Sequence, residues 1–232
     1  MSEYTLVGMR SNDAELAAVA RMIGEPARAA MLYALMGGVA LPAGALARQA
    51  QVSPATASAH LARLVNAGLV ARTPRGRQRL YSLASSDVAA ALEALARLTP
   101  VRTHSRADEQ LRFARTCYDH LAGKLGVQLT DHLVAHGMLT GAGLELSERG
   151  SAWLRSWNID VDALRAARRP LTRPCLDWTE RRDHLAGSAG AAIVTTMIEH
   201  GWLVRLDGTR AVRLTLRGRE ALFRSLHLEV AL

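Results

Sequence analysis

The chain has 232 residues and a formal net charge of +8, and 49% of its residues are apolar. This length allows one large domain or two ordinary ones, and the apolar share suffices for a sizeable core, which excludes a disordered chain. No apolar run approaches the roughly 18 residues of a membrane helix, and the N-terminus lacks a signal-peptide layout, so we expect a cytoplasmic protein. Two cysteines do not make a disulfide framework, and a reducing cytosol favours free thiols.

Positive charge is concentrated between Pro26 and Ser86. This stretch contains no aspartate or glutamate, but it contains seven of the 28 arginines. They are Arg28, Arg48, Arg63, Arg72, Arg75, Arg77 and Arg79. An all-positive stretch of this length predicts a polyanionic partner such as DNA. The alternative is an arginine-rich surface without such a partner.

Apolar residues spaced three and four apart predict helices in the N-terminal third. The predicted helices are residues 13–23, 27–36 and 43–49, and a fourth that follows Ser53. Ser53 is a favourable N-cap, Pro54 suits the first helical position, and Gly68 supplies the stop. The predicted strands are residues 69–71 and 80–83, joined by a basic turn from Arg72 to Arg79.

A short helix, a second helix and a basic hairpin make a winged helix-turn-helix. The second helix turns small and polar side chains away from its apolar stripe, as a helix that enters the major groove of DNA must. Arginines of the wing can bind phosphate or enter the minor groove. The predicted DNA contacts are Ser53, Ala55, Thr56, Ser58, His60, Arg63, Arg72, Arg75, Arg77 and Arg79. The alternative, a winged helix used only for protein contact, is disfavoured by the missing acidic residues.

Residues 13–98 resemble the ArsR/SmtB-type bacterial transcriptional regulators. The resemblance rests on Ser53-x-x-Thr56-x-Ser58-x-His60-Leu61-x-x-Leu64-x-x-Ala67-Gly68-Leu69-Val70, on Leu80-Tyr81-Ser82-Leu83 after the basic hairpin, and on Ile23-Gly-Glu-Pro-Ala-Arg28. It implies a homodimer that binds a near-palindromic operator by its own promoter and represses until an effector releases it.

Two familiar metal sites of this family are absent from the sequence. Members that sense arsenic or cadmium have a cysteine pair in the helix before the recognition helix, and here Leu41 to Ala50 contains no sulfur. Zinc-sensing members have Asp and His two apart after the wing, and here Asp87 is followed by Val88 and Ala89. The resemblance therefore implies DNA binding but no particular effector.

The second half of the chain is a repeat. Asp-His-Leu-Ala-Gly occurs at residues 119–123 and again at 183–187, each time followed by a segment that ends in His-Gly. We predict two winged-helix-like units, about residues 107–158 and 172–227, packed as a pseudo-dimer. The predicted fold is mainly α with small β-hairpin wings (α+β). Its domains are a winged helix-turn-helix at 1–98, a linker at 99–106, and an effector-binding, dimer-supporting domain at 107–232.

Cysteine, histidine and aspartate residues surround the two Asp-His pairs. Cys117 and His120 are three apart on a predicted helix and would share a face. If the repeats pack about a pseudo-twofold axis, Cys117 and Cys175 approach one cleft, where thiolate, imidazole and carboxylate ligands suit zinc or a similar divalent ion. The candidate effector or metal residues are Cys117, Asp119, His120, Cys175, Asp177, Asp183 and His184.

Two alternatives for this region stay open at the level of sequence. The Asp-His pairs can brace a helix junction, with the cysteines as small buried residues. The region can instead form an organic-effector pocket, with Trp153, Trp157, Trp178 and Trp202 as candidate lining residues, although core packing is the commoner use of tryptophan.

The sequence thus predicts a DNA-binding transcriptional regulator and no enzyme, since it has no Gly-rich phosphate loop, nucleophile elbow or His-Glu-x-x-His motif. Other hypotheses are a metal- or thiol-responsive repressor that uses Cys117, His120, Cys175 and His184, and more remotely a thiol-dependent enzyme. The expected partners are double-stranded DNA, a second copy of the chain and a small-molecule or metal effector, without a membrane. We expect nucleoid association when DNA is bound, and no cofactor besides a candidate divalent ion such as zinc.

Overall fold

The computed structural model describes residues 11–76, 78–98 and 106–230, and they divide into two compact units. The first unit contains residues 11–35 and 39–85, and the second contains residues 36–38 and 86–230. The helix after the wing therefore belongs to the second unit, whereas the sequence places the boundary at residue 98. The predicted linker lies outside the described residues, except for Arg106.

The described part of the first unit consists of helices and one small antiparallel sheet. Its elements are α1 (Ser11–Ile23), α2 (Pro26–Leu35), β1 (Leu41–Pro42), α3 (Ala43–Gln49), α4 (Pro54–Asn66), β2 (Val70–Arg75) and β3 (Gln78–Leu83). The strand order is β1-β3-β2, with Leu41 opposite Tyr81 and Val70 opposite Leu83. Fully buried side chains of this unit include Met31, Leu32, Leu46, Leu61 and Leu64.

Helix α4 begins and ends where local signals predict it. Ser53 Oγ accepts a hydrogen bond from the Thr56 N–H at 3.1 Å, and Pro54 is the first helical residue. After the helix, Gly68 has φ of 69°, a left-handed conformation that glycine adopts without steric cost, and the chain turns into β2. The predicted cap and stop are confirmed.

The wing is a ribbon rather than the predicted turn. Antiparallel pairing continues through Thr73 opposite Leu80 to Arg75 opposite Gln78, so the strands are longer than residues 69–71 and 80–83. Pro74 is tolerated because β2 is an edge strand. A proline there can face away from β3, so its missing N–H costs no hydrogen bond between the strands. The basic residues therefore lie along two paired strands.

The second unit is built from short hairpins and helices. Its elements are α5 (Ser86–Ala96), α6 (Arg106–Phe113), β4 (Arg115–Cys117), β5 (His120–Ala122), α7 (Gly123–Ala135), β6 (Leu139–Thr140), β7 (Glu145–Leu146), α8 (Glu148–Ser156), α9 (Val161–Ala166), β8 (Arg173–Leu176), β9 (Asp183–Ala186), α10 (Gly187–Glu199), β10 (Leu203–Arg205), β11 (Val212–Leu214) and α11 (Leu216–Leu226). The strands pair as hairpins β4–β5, β6–β7, β8–β9 and β10–β11. No helix in the described ranges of either unit is long and apolar enough to cross a membrane.

The Asp-His-Leu-Ala segments form strands, and the prediction that Cys117 and His120 share a helix face is wrong. Strands β5 and β9 end at Gly123 and Gly187, whose φ angles of 79° and 91° allow a sharp turn into α7 and α10. Each segment has only two apolar residues, leucine and alanine, which are too few for periodicity to separate strand from helix. Cys117 instead lies opposite His120 across the β4–β5 hairpin.

The two repeats close in the same way. Ser147 caps α8 by accepting from the Gly150 N–H at 3.1 Å, and it donates to the Gly137 carbonyl at 2.7 Å. Thr215 makes the two equivalent bonds at the start of α11, at 3.0 and 2.9 Å. The matching bonds support a duplicated unit of helix, hairpin and capped helix.

The repeats exchange contacts at the centre of the second unit. Strand β5 lies against β9, α7 packs on β9, and α10 packs on β5. The Leu185 N–H of β9 donates to Thr130 Oγ1 of α7 at 2.9 Å. A Cβ at Gly190 would lie 2.5 Å from the Leu185 carbonyl oxygen and 3.2 Å from His120 Cβ, so glycine is what lets α10 approach the strands. This packing brings the histidines of the two repeats together.

Candidate nucleic-acid interface and Cys–His cluster

The face of α4 opposite its buried stripe is exposed. The predicted DNA contacts Ser53, Ala55, Thr56, Ser58 and Arg63 all lie on this exposed face. The hydroxyls of Ser53 and Thr56 are 2.8 Å apart, and Ser58 Oγ donates to the Pro54 carbonyl at 2.9 Å. The face is therefore slim, uncharged at its N-terminal end, and basic at Arg63.

His60 and Arg28 have partners within the first unit. His60 is half-buried, and its Nδ1 lies 3.5 Å from Arg28 Nη1 and 3.4 Å from Glu25 Oε2. Arg28 is only 6% exposed and donates to the carbonyls of Met22 and Arg21 at 2.7 and 2.8 Å. It thus satisfies carbonyls at the end of α1 and is not part of an exposed basic surface.

Exposed arginines line the wing. Arg72, Arg75 and Arg79 are exposed on the ribbon of β2 and β3, and Arg77 lies outside the described residues. No carboxylate from residues 26–86 is present to neutralise them. The wing can therefore bind phosphate groups through charge-assisted hydrogen bonds.

Two cysteines and two histidines come together in the second unit. One candidate ligand atom from each of Cys117, His120, Cys175 and His184 lies within 4.8 Å of the others. The two sulfur atoms are 3.9 Å apart, and the two imidazole rings stack with their centroids 5.0 Å apart. Each hairpin contributes one cross-strand pair, Cys117 with His120 and Cys175 with His184. The cluster is therefore shared equally between the two repeats.

Buried nitrogen atoms of this cluster lack hydrogen-bond partners. His184 is fully buried and His120 is 4% exposed. Within the described part of the chain, Nε2 of His120 and both ring nitrogens of His184 have no hydrogen-bond partner. A buried polar atom left unsatisfied costs about 1–3 kcal/mol, so native structures rarely keep one without a ligand, ion or water.

A carboxylate lies beside Nδ1 of each histidine. Asp119 Oδ1 is 3.3 Å from His120 Nδ1, and Asp119 also accepts from Arg169 at 2.6 Å. Asp177 Oδ2 is 3.6 Å from His184 Nδ1. Asp183, the remaining aspartate of the predicted set, is exposed and lies outside the cluster.

Asp177 is held by a buried arginine that sequence reasoning did not single out. Arg115 and Asp177 are both fully buried, and Arg115 Nη2 lies 2.8 Å from each carboxylate oxygen. Asp177 also accepts from the Gly123 N–H at 2.7 Å and from the Thr179 N–H at 2.8 Å. Burial opposes the charged form, but the Arg115 guanidinium and these donors hold the pKa of Asp177 well below its usual range. Arg173 occupies the equivalent position of the second repeat, opposite Ala186 as Arg115 is opposite Ala122.

The two thiols of the cluster differ in acidity. The contact with the Cys117 sulfur is the main cause that lowers the pKa of Cys175, both imidazoles lower it further, and burial opposes the shift. The same contact, reinforced by burial, raises the pKa of Cys117. Burial acts to lower the pKa of His120, but the neighbouring Asp119 carboxylate and Cys175 sulfur raise it overall. The cluster thus favours a thiolate beside an imidazole.

A small cavity adjoins the cluster. It has a volume of about 10 Å³ and is lined by Cys117, His120 and Cys175, by Arg169, and by residues of α5 such as Ala89. One water-sized sphere needs about 10–15 Å³, whereas sites for drug-sized ligands have about 300–1,000 Å³. The space beside the cluster therefore suits an ion or a water rather than an organic effector.

The four tryptophans contact one another or Arg115. Trp153 and Trp157 have ring centroids 4.8 Å apart, and Trp157 and Trp202 are 4.9 Å apart. Trp178 stacks on the Arg115 guanidinium at 5.1 Å. None of the four lines the cavity beside the cluster.

Comparison with known proteins identifies the chain. A protein-family profile described as a helix-turn-helix domain matches residues 23–73. The chain is 40% identical over 222 residues to an uncharacterized HTH-type transcriptional regulator, YdfF of Bacillus subtilis (strain 168), covering 93% of this chain and 98% of that protein. The chain belongs to the ArsR/SmtB-type family of transcriptional regulators. The predicted fold class and the function of a DNA-binding transcriptional regulator are confirmed.

Other matches to this ArsR-type regulator cover a smaller part of its chain. The HTH-type regulator CmtR of Mycobacterium bovis is 40% identical over 80 residues, which are 34% of this chain and 67% of that protein. The structure of HlyU from Vibrio cholerae N16961 covers 39% of this chain and 97% of its own, with 30% identity and a TM-score of 0.36. The B. subtilis match, by contrast, spans both compact units.

The Cys–His cluster of this ArsR-type regulator does not coincide with the two familiar family sites. Helix α3 contains no cysteine, and Asp87 at the start of α5 has no histidine two positions later. All four cluster residues belong to the duplicated part of the second unit. The two familiar family sites therefore give no indication of the effector of this regulator.

Proposed function

We propose that this regulator is a homodimeric repressor that inserts α4 into the major groove of an operator, binds phosphates through its wing, and is released by an effector of its second unit. The exposed face of α4 is the observation that carries the proposal. Ser53, Thr56 and Ser58 present hydroxyl groups there without a large side chain to keep the helix out of the groove. Hydroxyls can bond either base edges or phosphate oxygens, and Arg63 suits guanine or phosphate.

The charge distribution supports phosphate binding by the wing. Arg72, Arg75 and Arg79 are exposed and have no acidic neighbour in the same stretch of sequence. Phosphate contacts fix the register of a protein on DNA, while base contacts supply specificity. We therefore propose that the wing fixes the register of the protein on DNA and that α4 distinguishes between base sequences.

Exposed apolar side chains support dimerisation. Leu16 and Val19 share a face of α1 and are 70% and 39% exposed. In the second unit, Leu95 of α5 and the nearby Leu98 are 44% and 82% exposed. Large apolar side chains exposed in this way favour burial against a second copy. A dimer would also match the two halves of a near-palindromic operator.

The second unit supports the effector role and not a second DNA-reading role. Helix α7 contains one lysine and one aspartate, Lys124 and Asp131, and α10 contains Glu199 and no lysine or arginine, so neither helix has the net positive charge of a DNA-reading helix. The Cys–His cluster gives this unit a set of groups that can respond to a ligand.

The test is the salt dependence of operator binding. Arg75→Ala/Arg79→Ala would be compared with the wild type by fluorescence anisotropy on a duplex from the region upstream of its own gene. Each lost phosphate contact lowers the slope of log affinity against log salt by about 0.9, and the dimer of the double variant lacks four of these arginines, so the slope should fall by about 3.6 units. Arg149→Ala/Arg217→Ala is the matched control, because both arginines are exposed in the second unit and the net charge falls equally.

Three outcomes are informative. A reduced slope in the wing variant with an unchanged slope in the control supports the assignment. Equal slopes in all three proteins contradict phosphate binding by the wing. Sedimentation of the wild type as a monomer at the concentrations that bind DNA contradicts the dimer.

A further inference from the structure

We infer that Cys117, His120, Cys175 and His184 form a tetrahedral site for one zinc-type divalent cation that joins the two repeats of the second unit. Binding at this site does not depend on the proposed DNA function. Its role as the effector site of the repressor does rest on that function, and the experiment below separates the two.

The spacing of the sulfur atoms fits tetrahedral coordination. Zinc–sulfur bonds of about 2.3 Å at tetrahedral angles place two thiolates about 3.8 Å apart. The observed separation of Cys117 Sγ and Cys175 Sγ is 3.9 Å. A disulfide would need about 2.05 Å, so the sulfurs lie at the spacing of metal ligands and not of a bond.

The histidines complete the ligand set. Zinc–nitrogen bonds of about 2.0–2.1 Å place a ligand nitrogen about 3.4–3.6 Å from the other ligand atoms. All four candidate atoms already lie within 4.8 Å of one another, so binding requires a contraction of at most about 1.4 Å for any pair. Nε2 of His120 and of His184 are buried and have no partner in the described part of the chain, and a cation would satisfy both.

Charged side chains surround the two histidines, as they do in protein metal sites. Asp119 lies 3.3 Å from His120 Nδ1, and Asp177 lies 3.6 Å from His184 Nδ1. A carboxylate within hydrogen-bond distance of Nδ1, as Asp119 is for His120, fixes the ring and the tautomer so that Nε2 faces the metal. Arg169 and Arg115 hold these carboxylates in turn, at 2.6 and 2.8 Å.

The chemistry of the ligands selects the class of cation. Two thiolates and two imidazoles favour zinc and similar borderline ions, whereas magnesium and calcium prefer oxygen ligands. The adjoining cavity, with about 10 Å³, admits no organic ligand of ordinary size. A bound ion would crosslink the β4–β5 and β8–β9 hairpins, which lie in different repeats.

The experiment uses the full chain, purified under reducing conditions and stripped with a chelator. Zinc is added to one sample and measured by elemental analysis after desalting, and cobalt is added to another as a spectroscopic probe. We expect about one zinc per chain and the visible absorption bands of tetrahedral cobalt with thiolate ligands. These measurements need no variant, so they do not depend on whether a substitution folds.

Variants then locate the ion. Cys175→Ser removes a half-buried ligand, and zinc affinity should fall at least about 100-fold, whereas Asp119→Asn should cost about 10- to 100-fold through loss of orientation. His200→Gln is the matched control, because His200 is exposed and bonds only its own helix at the Thr196 carbonyl. Its zinc affinity should be unchanged.

The results that would overturn the site are equally specific. No zinc retained by the reduced protein, or cobalt bands typical of six oxygen ligands, would show that the cluster does not bind such a cation. Retention of zinc by Cys175→Ser would place the ion elsewhere. Quantitative Cys117–Cys175 disulfide formation in air with no metal uptake under reduction would make the cluster a redox pair instead.

Operator binding tests the effector role separately. If zinc is the effector, the zinc-loaded and stripped proteins should differ at least about 10-fold in operator affinity, which is a coupling typical of allosteric sites. Equal affinities would overturn the effector role and leave a metal that only holds the repeats together. Failure of both forms to bind the operator would contradict the repressor proposal without affecting the metal site.

Discussion

Replacing Asp177 with asparagine tests whether the second unit depends on its buried ion pair. Asp177 and Arg115 are both fully buried, and the carboxylate also accepts backbone N–H bonds from Gly123, Thr179 and Glu180 at 2.7, 2.8 and 3.1 Å. An asparagine keeps the shape of the side chain. It removes the negative charge, however, and turns one acceptor into an N–H donor that faces other donors.

The size of the effect follows from that geometry. Removing one partner of a buried ion pair leaves an uncompensated charge and costs about 3–5 kcal/mol. In a unit of about 150 residues each kcal/mol corresponds to about 2–4 °C, so the Tm should fall by about 10 °C. The Asp131→Asn variant is the matched control, since Asp131 pairs with Arg182 at 2.7 Å on the surface and such a pair is worth about 0–1 kcal/mol.

The assay is denaturant unfolding followed by tryptophan fluorescence. Trp153, Trp157, Trp178 and Trp202 are the four tryptophans of the chain, and all lie in the second unit, so the signal reports that unit alone. A chelator is present throughout, so that loss of a metal adds nothing to the difference. If the free energies of unfolding of the two variants differ by less than about 1 kcal/mol, the reasoning from burial is wrong.

Two substitutions test local features of the fold. Gly190→Ala places a Cβ 2.5 Å from the Leu185 carbonyl oxygen, so α10 must shift, and the second unit should lose about 1–3 kcal/mol by the same fluorescence assay. Gly44→Ala in α3, whose Cβ would meet nothing closer than 3.9 Å, should not destabilise the first unit in thermal unfolding followed by circular dichroism, and a loss of stability there would contradict the steric argument. Ser53→Ala should cost about 0.5–2 kcal/mol of first-unit stability in thermal unfolding followed by circular dichroism, because the cap of α4 is lost. Ser53→Asp should keep the cap and the stability but weaken operator binding by placing a negative charge on the DNA-facing helix, and equal operator affinity would argue against that face.

Sequence reasoning worked best where signals are local. The start of α4 depends on Ser53 and Pro54, and its end depends on Gly68, all within a few residues of the helix. The wing was predicted correctly, but its two strands were predicted too short. Arginines and a proline occur in turns and in edge strands alike, so they do not mark where a strand ends. His60 was placed on the DNA-facing side, but its contacts with Arg28 and Glu25 show only in three dimensions.

In the second unit, sequence repetition and tertiary packing contributed different information. The repeated Asp-His pairs indicated which residues to compare, yet a helix was predicted over Cys117 and His120, because the two apolar residues of the segment have no decisive period. Strand pairing placed Cys117 opposite His120 instead. The roles of Arg115 and Arg169, which hold the aspartates of the cluster, became visible only through their contacts.

The amino-acid sequence by itself determined the winged helix-turn-helix, the basic character of residues 26–86 and the duplication, because caps, glycine stops, helical periodicity and charge are properties of neighbouring residues. The tertiary structure alone decided that Cys117 and Cys175, 58 residues apart, lie 3.9 Å from each other. That contact requires two hairpins, two glycine turns and the exchange of α7 and α10 between repeats. Contacts of this kind depend on how elements pack, and packing is a property of the whole folded unit, which no local pattern encodes.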